Sequence, residues 1–249
     1  MLTFCLKQIR YINCHIFQSV MMNLRIVLVC LVASAISGSL MAQSRSNVSK
    51  PESDPKAKVI LDKLKKQYDT YKSMEVKFEL ELELPNQPKE VQKGVVIQDG
   101  LKYQVKLKDQ EVYADGKTIW IYLKKNKEVQ ITDMDGGESS DFLSPKQMMT
   151  LYQKGDFIYS ILEERNVGGT YFVDIEFKPI SKKSEYSKMR LTIDKKANKM
   201  VSLRVFSRDG SRYTLKVSDI IANKKYDPST FTFDTKGVQG IHIEDLRMD

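Results

Sequence analysis

Between Val76 and Leu84 apolar and charged residues alternate without interruption. Val76, Phe78, Leu80, Leu82 and Leu84 are separated by Lys77, Glu79, Glu81 and Glu83. In extended chain a period of two sends one set to one side and the other set to the opposite side. A strand patterned this way fits an antiparallel sheet with one face on a core and the other in water. It suits neither a helix, whose period is 3.6, nor a parallel sheet buried on both faces.

Further extended segments follow at 94–98, 101–107, 111–114 and 118–123. In the second of these, Leu101, Tyr103, Val105 and Leu107 share a face. Asp115-Gly116 joins the last two as a tight hairpin turn. Strands are expected again at 171–177, 188–193 and 199–206, and Asp209-Gly210 turns the chain into 213–221. A short strand is expected near 231–234, and another around Ile241 and Ile243. Two stretches read as helix. Ser53 or Asp54 can cap the first and Pro55 suits its first position. Ala57, Ile60, Leu61, Leu64, Tyr68 and Tyr71 then form one apolar face at three- and four-residue spacing. Ser144-Pro145 opens a shorter second helix through Met148, Met149, Leu151 and Tyr152. The fold class is therefore mainly β (α+β): one antiparallel sheet of about ten strands with two or three helices. A sheet of that size tends to curl or split, and its apolar face must meet itself, a helix or a ligand.

The chain has 249 residues. Arg25, the apolar run 26–40 and Ala42 have the order of a secretory signal, with cleavage expected after Ala42. Translation is expected to start at Met21 or Met22, which leaves 1–20 outside the protein. The expected organisation is a signal peptide to 42, a polar leader at 43–54 and a single domain at 55–249. All three cysteines, Cys5, Cys14 and Cys30, precede the cut, which leaves no disulfide frame and no thiolate chemistry. Cys30 follows Val29 inside the apolar run, unlike a lipidation cysteine. The formal charge is +8. Lys7, Arg10 and Arg25 lie ahead of Ala42 with no acid to balance them, so the remainder carries about +5. These charges are dispersed, which argues against nucleic acid as a partner.

No catalytic set is visible. His242 is the one histidine after Ala42, and no nucleophile-elbow glycines flank a serine. Metal-ligand spacing is absent. The loop Asp133-Met134-Asp135-Gly136-Gly137-Glu138 departs from a calcium loop in its glycine position and lacks the late glutamate. Neither a metal nor another cofactor is expected, and the chain does not read as an enzyme.

Asp115-Gly116-Lys117-Thr118-Ile119-Trp120-Ile121-Tyr122, followed by Glu128-Val129-Gln130-Ile131, resembles the outer-membrane lipoprotein carrier family of LolA type. Tyr226-Asp227-Pro228-Ser229-Thr230-Phe231-Thr232-Phe233, with Gly237-Val238 after it, resembles the ending of that family. The likeness spans most of 55–245. It implies an incomplete, curled β-barrel with the helices as a lid over an apolar cavity. It also implies a periplasmic carrier of acylated lipoproteins, received from an inner-membrane lipoprotein-releasing ABC transporter and passed to an outer-membrane acceptor protein or lipid. A monomer is expected. One departure stands out: the Arg-Pro latch of proteobacterial members is replaced here by Ile97-Gln98-Asp99-Gly100.

Acyl burial is worth about 0.8 kcal/mol per methylene, so two or three chains need extensive cover and an adaptable lining. Leu101, Tyr103, Trp120 and Tyr122, with Phe142, Leu143, Met148 and Met149, are the candidate lipid-binding residues. Alternation places Trp120 with Thr118 and Tyr122, opposite Ile119 and Ile121, without saying which face looks inward. Two rivals remain open: a periplasmic lipid- or protein-sensing module on the same sheet, and a carboxylate-based hydrolase.

Overall fold

A computed structural model describes residues 52–134 and 150–247. Helix α1 (Pro55–Asp69) leads into β1 (Ser73–Glu83), β2 (Glu90–Asp99), β3 (Lys102–Lys106), β4 (Gln110–Ala114), β5 (Thr118–Leu123) and β6 (Glu128–Asp133). After the interval at 135–149 come β7 (Phe157–Val167), β8 (Thr170–Pro179), β9 (Tyr186–Asp194), β10 (Lys199–Ser207), β11 (Arg212–Ala222) and β12 (His242–Asp245). All twelve strands join in one open, curled sheet in the order β12-β6-β5-β4-β3-β2-β1-β11-β10-β9-β8-β7. β1 and β11, distant in sequence, pair in the middle and close the two halves of the chain together.

The expected fold class holds, with five local differences. The strands number twelve, and β12 runs parallel to β6, whereas every other pairing is antiparallel. β7 is absent from the sequence pattern, because Phe157–Val167 is an edge strand whose alternation breaks at a bulge between Ile161 and Glu163. The strand expected near 231–234 does not form: a 3-10 turn at Pro228–Phe231 ends there, with Asp227 accepting a hydrogen bond from the amide of Ser229 and Pro228 in the first position. Of the second helix, the described part is a 3-10 turn at Leu151–Gln153; its start at Ser144-Pro145 lies outside the described residues.

Each element has a local cause. Asp54 is the cap of α1, and its side chain accepts from the amide of Lys56 at 2.8 Å. Ala57, Leu61, Leu64 and Tyr68 bury the apolar stripe against the sheet. Burial of a leucine side chain of this kind stabilises by about 1.5–3 kcal/mol. The Tyr68 hydroxyl accepts from the amide of Met200 at 3.3 Å, and burial raises its pKa to about 12. The Asn198 amide bonds Gln67 Oε1 at 2.7 Å and the Lys63 carbonyl at 3.1 Å. The amide of Asp54 donates to the carbonyl of Tyr159 at 2.8 Å. Helix α1 is thus fastened to β7 and to the turn between β9 and β10.

The hairpin between β4 and β5 forms as its sequence requires. Gly116 adopts φ +98°, and Asp115 Oδ1 accepts from the amides of Lys117 and Thr118 at 2.8 and 2.9 Å. A second glycine is needed for space. Gly94 lies opposite Phe78 in the β1–β2 ladder, and a Cβ placed there would stand 2.5 Å from Phe78 Cζ and 2.8 Å from Leu107 Cδ2. Gly94→Ala is therefore expected to lower the unfolding free energy by about 1–3 kcal/mol through overpacking. The midpoint of a urea transition, compared with that of the parent chain, measures this.

Candidate functional site

The ladder registers carry the alternation of β1 across the whole sheet. Ile121, Val112, Val105, Val96, Val76 and Ile220 stand in successive partnership from β5 to β11. A second row, Leu80, Leu215, Leu203, Leu191, Ile175 and Ile161, runs from β1 to β7. Both rows belong to one hydrophobic cluster, which also includes Leu61, Leu64 and Tyr68 of α1. They define an inner face that is aliphatic from edge to edge. The anchors of α1 lie on the β7–β10 half, and the first row runs from the β2–β5 half across β1 to β11.

The outer face is divided. From β1 through β11, β10 and β9 to β8 it is a charged ladder. Glu81 pairs with Lys89 at 3.0 Å and Lys216 at 2.5 Å. Glu176 sits among Arg190, Lys188 and Lys178 at 3.0–3.4 Å. Burial raises the Glu176 pKa, but these cations more than offset it, and the net shift is downward. Beyond β3 the outer face becomes apolar, with Tyr113, Val129 and Ile131 buried. The chain from Asn223 to Phe233 crosses it as a strap. Asn223 Oδ1 accepts from the amide of Lys72 at 2.9 Å. The Tyr226 hydroxyl donates to Glu75 at 2.7 Å, and the Gln104 amide donates to the Thr230 carbonyl at 2.7 Å. Phe231 is buried under the strap at 1% exposure. The Phe233 ring lies 5.4 Å from that of Tyr113 and 4.9 Å from that of Tyr122.

The sequence-derived candidates are thereby separated. Tyr103 is on the inner face, between Gln98 and Ala114 in the ladder, and burial raises the pKa of its phenol. Trp120 and Tyr122 are on the outer face: Trp120 is opposite Tyr113 and Ile131, and Tyr122 packs on Phe233. Leu101 is 72% exposed in the turn before β3, beside Gly116. Phe142, Leu143, Met148 and Met149 lie outside the described residues. Alternation puts Trp120 and Tyr122 on one face correctly, but the strap that covers them comes from a segment more than a hundred residues later. The inner residues Val105, Val112 and Ile121 are visible in the sequence only as half of an alternating pattern. His242 is exposed on β12, and among the described residues no three His, Cys, Asp or Glu side chains are grouped to hold a metal. Among those residues, too, no helix is long and apolar enough to cross a membrane.

The class this architecture defines is a single curled sheet with an aliphatic inner face and a helix laid on it. The family model described as "Outer membrane lipoprotein carrier protein LolA" matches residues 101–234, more than half of the chain. The chain belongs to the LolA family. Solved structures are similar to the chain at low identity. An uncharacterised conserved protein from Thermus thermophilus is 11% identical, with a TM-score of 0.50 over 76% of this chain and 99% of that one. LprF from Mycobacterium bovis is 15% identical, with a TM-score of 0.42 over 71% and 99%. A LolA-superfamily protein from Nitrosomonas europaea is 13% identical, with a TM-score of 0.37 over 71% and 97%. Comparison with curated proteins finds no match.

Glu75 ties the strap to the sheet. Its carboxyl pKa is held below the usual carboxylate range by the Tyr226 hydroxyl, against a smaller opposing effect of burial, with Lys224 adding to the depression. A carboxylate more acidic in the folded state favours folding above its ordinary value of about 4.3, and that contribution is lost as pH falls through the lower folded-state value. The unfolding free energy of Glu75→Gln is expected to fall less steeply than that of the parent chain below about pH 4.3. Urea titrations at pH 7 and in steps down to about pH 3 read the difference in slope.

Proposed function

We propose that this protein binds the acyl chains of exported lipoproteins on its inner face and carries them through the periplasm, from an inner-membrane exporter to an outer-membrane acceptor. One observation carries the reading: the unbroken aliphatic row from Ile121 to Ile220, whose β2–β5 part lies away from the anchors of α1. Membership of the LolA family supports it. A methylene moved from water onto such a face gains about 0.8 kcal/mol, so a single chain of ordinary length gains several kcal/mol even when partly covered. Leu, Ile and Val offer no hydrogen bonds to orient a ligand, which suits a site that must accept varied cargo and release it. Tyr103 belongs to the proposed lining; Phe142, Leu143, Met148 and Met149 stay candidates for it and lie outside the described residues. Trp120, Tyr122 and Leu101 do not belong to it.

Leu123 and Ile220 test this reading, because both are only partly buried and pack against the inner cluster. Displacement of a hydrophobic dye by a triacylated peptide is expected to weaken at least tenfold in Leu123→Glu and Ile220→Glu. Trp120→Glu, on the outer face, is expected to displace the dye like the parent chain. If the inner-face variants keep wild-type displacement and a native circular dichroism spectrum, the reading is wrong.

A further inference from the structure

β2 is longer than its neighbour β3. It pairs with β1 along its whole length, from Glu90 to Asp99, but β3 covers it only from Val95 onward. Beyond the β3–β4 hairpin tip, no strand among the described residues pairs with this side of Glu90–Gly94, which borders a notch in the middle of the sheet. From its first residue to its last, this free strand edge extends roughly 13 Å at the usual rise per residue. Unpaired sheet edges are templates for a further strand.

The notch is also a groove of about 520 Å³ with a distinct chemical character. Phe78, Gly94 and Leu107 form its apolar floor, and Lys77, Lys93, Lys106 and Lys108 stand around it, against one acid, Glu79. Two of the four are weakly engaged at the surface: Lys77 lies 3.7 Å from Asp219 and Lys93 lies 3.7 Å from Glu79. Lys106 and Lys108 form no ion pair among the described residues. Lysines on a free edge can serve simply to discourage aggregation. A concave apolar floor beneath them goes beyond that need.

We propose that this notch binds an extended acidic segment of a protein partner by strand addition to the Glu90–Gly94 edge of β2. Alternation sets the sequence it accepts. In an added strand, side chains on the outer face would meet Lys77, Lys93 and Lys106, and the intervening ones would lie toward Phe78 and Leu107. The matching segment alternates Asp or Glu with aliphatic residues over about five positions. Main-chain bonds would give affinity, and the lysines would set orientation and exclude basic segments. Its lysines lie on the outer face, and its floor of Phe78 and Leu107 adjoins the inner cluster at its edge, so the site borders the acyl-binding face without sharing the row from Ile121 to Ile220.

The test is fluorescence anisotropy with a labelled peptide in which Glu and Val alternate, titrated with the purified protein. The expected result is saturable binding that weakens at least tenfold in Lys106→Glu/Lys108→Glu, and as much again when alternate peptide nitrogens are methylated. The same peptide with Lys in place of Glu is expected not to bind. Leu123→Glu is expected to leave peptide binding unchanged, which separates this site from the lipid site. Binding that is indifferent to N-methylation would reduce the site to a charge patch and overturn the proposal. So would absence of peptide binding together with lysine-dependent sedimentation on phosphatidylglycerol vesicles, which would assign the patch to a membrane surface. Circular dichroism of each variant confirms that the sheet is intact.

Discussion

The structure depends on the register of β1 with its two neighbours. β1 pairs with β11 on one side and β2 on the other, and both aliphatic rows of the inner face pass through it, one at Val76 and one at Leu80. Because side chains alternate, a slip of one residue would carry Phe78, Leu80 and Leu82 to the outer face and bring Glu79 and Glu81 into the core. Burial of an unpaired carboxylate is far more costly than any single aliphatic contact is stabilising. The charges between the leucines therefore specify register as strongly as the leucines do. The opening at Gly94 adds a steric lock, since Phe78 fits only opposite a residue without a side chain.

With the inner face committed, the outer face has to be made compatible with water, and the molecule does this in two ways. Over β1 and β8–β11 it uses cross-strand ion pairs, in which Glu81 and Glu176 are each surrounded by two or more cations. Exposed pairs of this kind contribute little individually; these two carboxylates are largely buried, so their partners serve chiefly to avoid an uncompensated charge. Over β3–β6 the outer face is aromatic and aliphatic, and the strap from Asn223 to Phe233 covers it. Glu75 stands at the boundary and serves both halves, receiving Tyr226 from the strap and Lys224 beside it.

This division bears on the acyl-binding proposal. Trp120 and Tyr122 look like ligand-binding residues because large aromatic side chains in a half-exposed hairpin often are. Here the aromatic packing of Tyr122 and Tyr113 on Phe233 holds the chain's own C-terminal region. The proposed lipid surface is instead built of Val, Ile and Leu, residues that pack around a flexible chain without demanding an orientation.

Much of this is open to reading in the sequence. The strand at Val76–Leu84, the Asp115-Gly116 turn and the apolar stripe of α1 each depend on neighbours within a few residues, so local pattern is enough to find them. Alternation establishes that Trp120 and Tyr122 share a side, and Ile119 and Ile121 the other. What it cannot supply is the direction of inside, because parity is symmetric until something covers one face. That decision comes from α1 on one side and the strap on the other, through contacts between segments far apart in the chain. β7 escapes for a related reason: an edge strand with a bulge has no second neighbour to enforce a strict period. The sequence by itself determined a one-face-buried antiparallel sheet. Only the tertiary structure decided which face holds the core, which face the strap closes, and where β2 has an edge that no strand among the described residues pairs, because each depends on which distant segments meet.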